Sequence, residues 1–170
     1  MRNSLRLAAI VGGLAVGLSS VWVAVAQTPA SNIDQRKALM RANNGANQQL
    51  GPIIRGERPW DQSVAVAQAD ILASNGGKIP ALFPAGSGPE SGAETNALPA
   101  IWTNRADFEA KAKTLADEAG RLLQLARAND EAGFKAQFPK IGASCGGCHT
   151  PYRKPLQPAG GAAPAPAPAR

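Results

Sequence analysis

Close to the C-terminal end of the chain two thiols and an imidazole stand in one short run, Cys145-Gly146-Gly147-Cys148-His149. Thiols three residues apart can each add across one vinyl group of a haem, and a histidine directly after the second thiol can bind the iron. Three other chemistries compete for the same atoms. A thioredoxin-type dithiol needs no histidine at that place and belongs at a strand-to-helix turn of a βαβ unit; nothing upstream reads as a strand. Zinc asks for four ligands drawn mainly from Cys and His, and the whole chain holds two Cys and one His. A disulfide between Cys145 and Cys148 would close too small a loop to stabilise much. The spacing is that of covalent c-type attachment, so one haem c bound through Cys145 and Cys148, with His149 on the iron, is the expectation.

The iron has a second axial position. With a single histidine in the chain, bis-histidine ligation is impossible. Of the two methionines Met1 falls in a leader, which leaves Met40. One His and one Met is the composition that Met/His ligation requires. Methionine is also a common gap-filler of helical cores, and in that reading the iron stays five-coordinate and open to nitric oxide or carbon monoxide. Arg36 lies one helical turn before Met40 on the same face and can make paired bonds to a haem propionate. Arg153 lies four residues after His149, within reach of the proximal side. A solvated surface position is the ordinary fate of either arginine. Trp60, Trp102, Phe108, Phe134 and Phe138 read as core, and Tyr152 as a packing residue.

These groups must be carried by helices. A first helix is expected over residues 33–50, capped by Ser31 or Asn32, with Leu39, Ala42, Ala46 and Leu50 on its apolar face and Gly51-Pro52 as its stop. A second runs from Trp60 or Asp61 to Asn75, with Val64, Gln68, Ile71 and Leu72 near one face and Gly76-Gly77 beyond it. Residues 77–103, rich in Pro and Gly, form a long irregular connection whose ends, through Ile79, Leu82, Phe83, Leu98, Ile101 and Trp102, should lie over the core with only the middle solvated. From an Asn104 cap, Phe108, Ala112, Leu115, Ala119, Leu122 and Ala126 step by 4, 3, 4, 3 and 4, the seam of a helix reaching about Ala128. After Asn129 or Asp130, Phe134, Phe138, Ile141, Cys145, Cys148 and Tyr152 repeat that rhythm, which aims both thiols inward. Pro139 predicts a kink or a fresh start, and Pro151 a second disturbance. The sum is an all-α, antiparallel up-and-down four-helix bundle with one haem in its core.

Residues 1–26 read as a cleaved secretory signal: Arg2 and Arg6, an apolar run, then Ala24-Val25-Ala26 as the cleavage site. An uncleaved anchor is the rival, disfavoured by Gly12, Gly13, Ser19 and Ser20 within the run. Residues 27–154 then form the folded domain, and 155–170, rich in Pro and Ala, a tail with too few apolar groups to fold. Without Arg2 and Arg6 the charge is +4, from 16 basic and 12 acidic residues. That mild excess and the sparse aromatic content exclude a nucleic-acid partner; it suits an acidic redox partner or an anionic surface. Export suits thioether haem, which is attached outside the cytoplasm, so the periplasm is the expected compartment, with no stable membrane insertion after cleavage.

Four stretches together resemble the class II cytochromes c, comprising cytochrome c′ and the low-spin cytochrome c-556 type. They are Arg36-x-x-x-Met40, Ile79-Pro80-Ala81-Leu82-Phe83, Ala100-Ile101-Trp102 before Phe108-Glu109, and Cys145-x-x-Cys148-His149-x-x-Tyr152-Arg153. The resemblance spans residues 31–154. It implies a periplasmic four-helix bundle with His149 proximal, Arg36 near a propionate, and in many members a homodimer through the first two helices. At the position of Met40 the low-spin type carries an iron-binding methionine, whereas cytochromes c′ mostly carry an apolar residue and stay five-coordinate. Three functions follow: an electron carrier with His149 and Met40 on the iron, which is not an enzyme and serves an unidentified redox partner; a five-coordinate cytochrome c′ that binds nitric oxide or carbon monoxide; and a haem-free thiol redox protein using Cys145 and Cys148.

Overall fold

A computed structural model describes residues 28–156. The expected signal, 1–26, and all but the first two residues of the expected tail lie outside the described residues. Five helices follow in order: α1 (Pro29–Ile54), α2 (Gln62–Gly76), a single turn α3 (Ala100–Thr103), α4 (Arg105–Arg127) and α5 (Glu131–Tyr152). The long ones, α1, α2, α4 and α5, make the expected up-and-down bundle. The described residues hold no strand, only one isolated bridge between Ala97 and Arg153.

α1 begins earlier than its apolar rhythm indicates. Thr28 is the cap, its hydroxyl accepting from the Ser31 amide at 3.2 Å, and Pro29 occupies the first helical position, where its fixed φ suits a helix and its missing N–H costs nothing. The helix also runs past Gly51-Pro52, the expected stop. Leu50 and Ile53 are fully buried, and the bond that Pro52 forfeits belongs to the carbonyl of Gln48, an exposed residue whose carbonyl water can serve. The chain leaves α1 through Gly56, at φ +75°.

α2 starts where expected, with Asp61 accepting from the Val64 amide at 3.1 Å. Its buried stripe is rotated from the expected one. Ala65, Ala69, Leu72 and Gly76 are buried, while Val64, Gln68 and Ile71 are half-exposed. Small residues let α2 and α4 approach closely: a Cβ on Gly76 would sit 2.8 Å from the Cα of Ala116.

All six seam positions of α4 are buried, as the spacing predicts. Asn104 holds the cap position, but its side chain makes no capping bond. Asp130 caps α5 by accepting from the Gly133 amide at 2.8 Å. α5 then continues through Pro139 and Pro151 as one helix, so the fresh start, one of the two outcomes expected at Pro139, does not occur. Both prolines lie on the exposed side, so the carbonyls they release turn toward water instead of into the core. Beyond Tyr152 the chain is fastened to the long connection, with the Leu98 amide donating to the Tyr152 carbonyl at 3.0 Å and the Lys154 amide to that of Asn96 at 2.8 Å.

The 77–103 connection is held at both ends and at two points in its middle. Its ends cover the core, with Ile79, Phe83 and Ile101 buried. The middle, expected to be solvated, contributes the buried Ser87 and Thr95. Arg105 donates to the carbonyls of Phe83 (2.7 Å) and Pro80 (2.8 Å), and the Trp102 indole to that of Pro84 (2.9 Å). Arg36 fastens the rest.

Candidate haem site

α1 packs along α2, α2 along α4 and α4 along α5, while α1 and α5 hardly touch. The space between them is a cavity of about 730 Å³, within the size range of cofactor pockets. Every residue expected to handle the haem lines it: Cys145, Cys148 and His149 from α5, Met40 and Arg36 from α1. Phe83, Ile101, Phe108 and Leu115 supply apolar wall. Three edge-on or tilted ring pairs stack behind it, Phe83 on Trp102 at 6.1 Å, Phe83 on Phe108 at 5.0 Å and Phe108 on Tyr152 at 5.4 Å.

The two thiols are half-buried and unbonded to each other, and both pack against the core. Burial pushes both above the ordinary cysteine range; at Cys148 the nearby Lys111 opposes this, while Cys145 and Asp107 add to it. Dithiol redox centres are built the other way, with a thiol pKa lowered by cations or a helix N-terminus. The surroundings therefore speak against a free-thiol function. Burial, aided by the Arg153 cation, lowers the pKa of His149. A neutral imidazole has a lone pair to give a metal.

On the opposite wall Met40 is half-buried and packs against the core. Arg36, 5 % exposed, is committed to the connection. It donates to the Ser87 hydroxyl (3.3 Å), the Ser87 carbonyl (2.9 Å) and the Thr95 hydroxyl (2.8 Å), and its guanidinium lies 4.5 Å from the Phe83 ring centre. Desolvation lowers its pKa, with Glu90 opposing. A guanidinium has five N–H groups, so these three bonds leave donors over. The Nε of Arg153 is buried without a partner on the wall of the same cavity. Two features were missed in the sequence. Lys37, Arg41 and Lys111 also line the cavity; the signal was there in Lys37 and Arg41, one turn apart on either side of Met40. Tyr152 is more than packing, since its hydroxyl donates to Asp107 at 2.5 Å. The phenol pKa is pushed up to about 12, first by burial and then by Asp107.

The donor set fits a haem. Two thiols and a neutral imidazole face a thioether across an apolar slot, cations line it, and a buried guanidinium nitrogen lacks an acceptor. Fold and site define a helical-bundle haem protein of the c type. The family model for cytochrome c′ matches residues 31–153, and the chain belongs to that family, whose members carry covalent haem c. It is 36 % identical over 124 residues to cytochrome c-556 of Agrobacterium tumefaciens, covering 73 % of this chain and 98 % of that one. To cytochrome c′ of Rhodopseudomonas palustris it is 35 % identical over 149 residues, covering 88 % and 96 %. Among solved structures, a nitric oxide complex of a variant of cytochrome c prime from Alcaligenes xylosoxidans matches with a TM-score of 0.69 at 26 % identity, covering 76 % of this chain and 98 % of that one.

Proposed function

We propose that the protein is a periplasmic monohaem electron carrier, not an enzyme, whose iron is held between His149 and Met40. The observation that carries this reading is the placement of Met40, the one methionine among the described residues, on the α1 wall of the cavity that His149 lines from α5. A bound haem supplies a one-electron ferric/ferrous couple whose potential follows its axial ligands and burial. Cys145 and Cys148 hold it as thioethers. His149 offers a neutral nitrogen, and Met40 a sulfur that excludes small ligands. The spare donors of Arg36 and the unpartnered Nε of Arg153 are suited to the haem carboxylates. Phe83, Ile101, Phe108 and Leu115 would lie against a bound haem as apolar wall, and such burial is one of the levers on its potential. The apolar run and Ala24-Val25-Ala26 support export.

A second reading is favoured by the structural likeness to a cytochrome c prime crystallised with nitric oxide. In it Met40 is a core residue, and the iron is five-coordinate and captures nitric oxide or carbon monoxide. The optical spectrum of the purified holo-protein separates the two. The carrier reading expects sharp low-spin bands that become high-spin in Met40→Ala, with carbon monoxide binding gained by the variant. A wild-type spectrum that is already high-spin and unchanged by the substitution would establish the second reading instead.

A further inference from the structure

The buried seam of α1 is interrupted by a carboxamide. From residue 39 to residue 50 its buried positions are Leu39, Asn43, Ala46 and Leu50, and the expected Ala42 turns outward. Asn43 is 6 % exposed. Its side-chain oxygen accepts from the side-chain amide of Asn75 on α2 at 2.8 Å, and its own amino group donates to no other group among the described residues. A carboxamide has one acceptor oxygen and two N–H donors. α2 engages the oxygen, which fixes the orientation of the group and leaves the donors over. Burying donors unpaired costs free energy that an apolar side chain at the same place would not. Asn43 lines the cavity together with Met40 and His149, whereas Asn75 does not. It stands three positions after Met40, a spacing at which helical side chains are neighbours, and a helical side chain leans back over the preceding turn, here the turn that carries Met40. The other buried polar residues of this wall, Arg36 and Thr95, are already bonded to one another. Carboxylates are matched best by the cations of the cavity, which leaves the neutral donors of Asn43 for a neutral acceptor.

We propose that Asn43 is a positioning residue for the axial methionine: with Met40 on the iron, an Asn43 N–H donates to the sulfur lone pair that the iron does not use. The proposal rests on the His149/Met40 reading. A thioether sulfur is a weak acceptor, but inside a protein even a modest hydrogen bond is strengthened by the low dielectric. A donor on the free lone pair holds the sulfur in one of its two configurations at the metal. It also withdraws electron density from the ligand, and the positive end of the N–H dipole acts in the same sense. Both effects disfavour the ferric state, so Asn43 raises the reduction potential, hydrogen bonding around the ligands being one of the levers on it. Asn75 takes part without touching the cavity, by holding the oxygen of Asn43 toward α2.

The competing role is a plain clip between α1 and α2, and two readouts on holo-protein separate them: the redox equilibrium against a common mediator, and the proton resonance of the Met40 methyl group in the ferrous state. In Asn43→Leu, which keeps the bulk of the side chain, the equilibrium is expected to move toward ferric by roughly threefold to tenfold. The methyl resonance, a single sharp line in the wild type, should broaden or double as the sulfur interchanges its configurations. Asn75→Leu breaks the clip but spares the donors, so it should lose stability in urea unfolding while its redox equilibrium stays within about twofold of the wild type. Asn47→Leu makes the same polar-to-apolar change one turn further along the cavity wall and should leave both readouts unchanged. Asn43→Ala serves the same comparison if the leucine variant does not fold. Equal shifts in the Asn43 and Asn75 variants, a shift toward ferrous in Asn43→Leu, or none in either Asn43 variant would overturn the proposal. A high-spin wild-type spectrum would defeat the His149/Met40 reading and this proposal with it, whereas a low-spin wild type with unshifted Asn43 variants would defeat this proposal alone.

Discussion

Tyr152 shows what burial does to one residue. Its spacing on the α5 seam correctly placed the ring in the core, 3 % exposed. The acceptor for its hydroxyl, Asp107, lies 45 positions away in the chain, and no helical periodicity points to a partner on another element. The consequence is a pH dependence. The phenol pKa in the folded protein is raised to about 12, against about 10 in an unfolded chain. The folded state therefore holds this proton more tightly. Its stabilising contribution is intact below about pH 10 and is lost as pH rises toward about 12. The chain has one tyrosine, so an ultraviolet difference titration reads this group alone. A midpoint near 10 in folded protein would contradict both the burial of the phenol and its Asp107 bond, and in Tyr152→Phe the alkaline loss of stability measured by urea unfolding should shrink. The motif residues Cys145, Cys148 and His149 were legible without any fold, because covalent haem chemistry dictates their types and spacing within five positions.

Among the elements, α4 and the rhythm of α5 were plain in the sequence, because a bundle seam repeats the same demand every three or four residues. The prolines misled. A proline costs a helix most where the released carbonyl is buried, and Pro52 and Pro139 release theirs at or near the surface. The α2 face misled in part, since beside Leu72, which is buried as expected, its stripe is made of Ala and Gly instead of the larger Val64 and Ile71. Gly76→Ala tests that contact. Ala is favoured over Gly in a helix by up to about 1 kcal/mol, but the added Cβ would meet backbone atoms of Ala116 at 2.8 and 2.9 Å, which cannot swing aside. Overpacking of this kind costs about 1–3 kcal/mol, so a net loss of stability in urea unfolding is expected; a net gain would show that α2 and α4 can part. The connection between α2 and α4 depends on Arg36. In Arg36→Ala the Ser87 carbonyl and the Thr95 hydroxyl lose a charged donor, at a cost of about 2 kcal/mol or more, and amide exchange over residues 86–96 should accelerate. Arg36→Lys should recover little, because an ammonium cannot reproduce the fork. Unchanged exchange in both variants would mean that the connection is held by Arg105 and Trp102 alone.

At the scale of the whole molecule the bundle is asymmetric. α4 packs against both α2 and α5, whereas α1 has one long-helix neighbour, α2, and faces the cavity on its other side. A haem there completes the core. Removing it, or expressing the chain without attachment, should leave α4 the best protected element and α1 the first to open. Hydrogen exchange of apo against holo protein checks this: loss of protection over residues 36–47 should exceed that over 108–122, and equal losses would show that α1 is held by α2 and the connection alone. What the sequence by itself determined was local or periodic: the attachment motif, the single histidine, the one methionine beyond the expected leader, and the seams that turn both thiols inward. Only the tertiary structure decided that Met40 shares a cavity with His149, that Arg36 makes three bonds to a loop more than fifty residues away, and that five cations line one cavity. The physical reason is the same in each case. Helical periodicity fixes which face of an element is buried, but not which distant polar groups a folded chain brings within a few ångströms of one another.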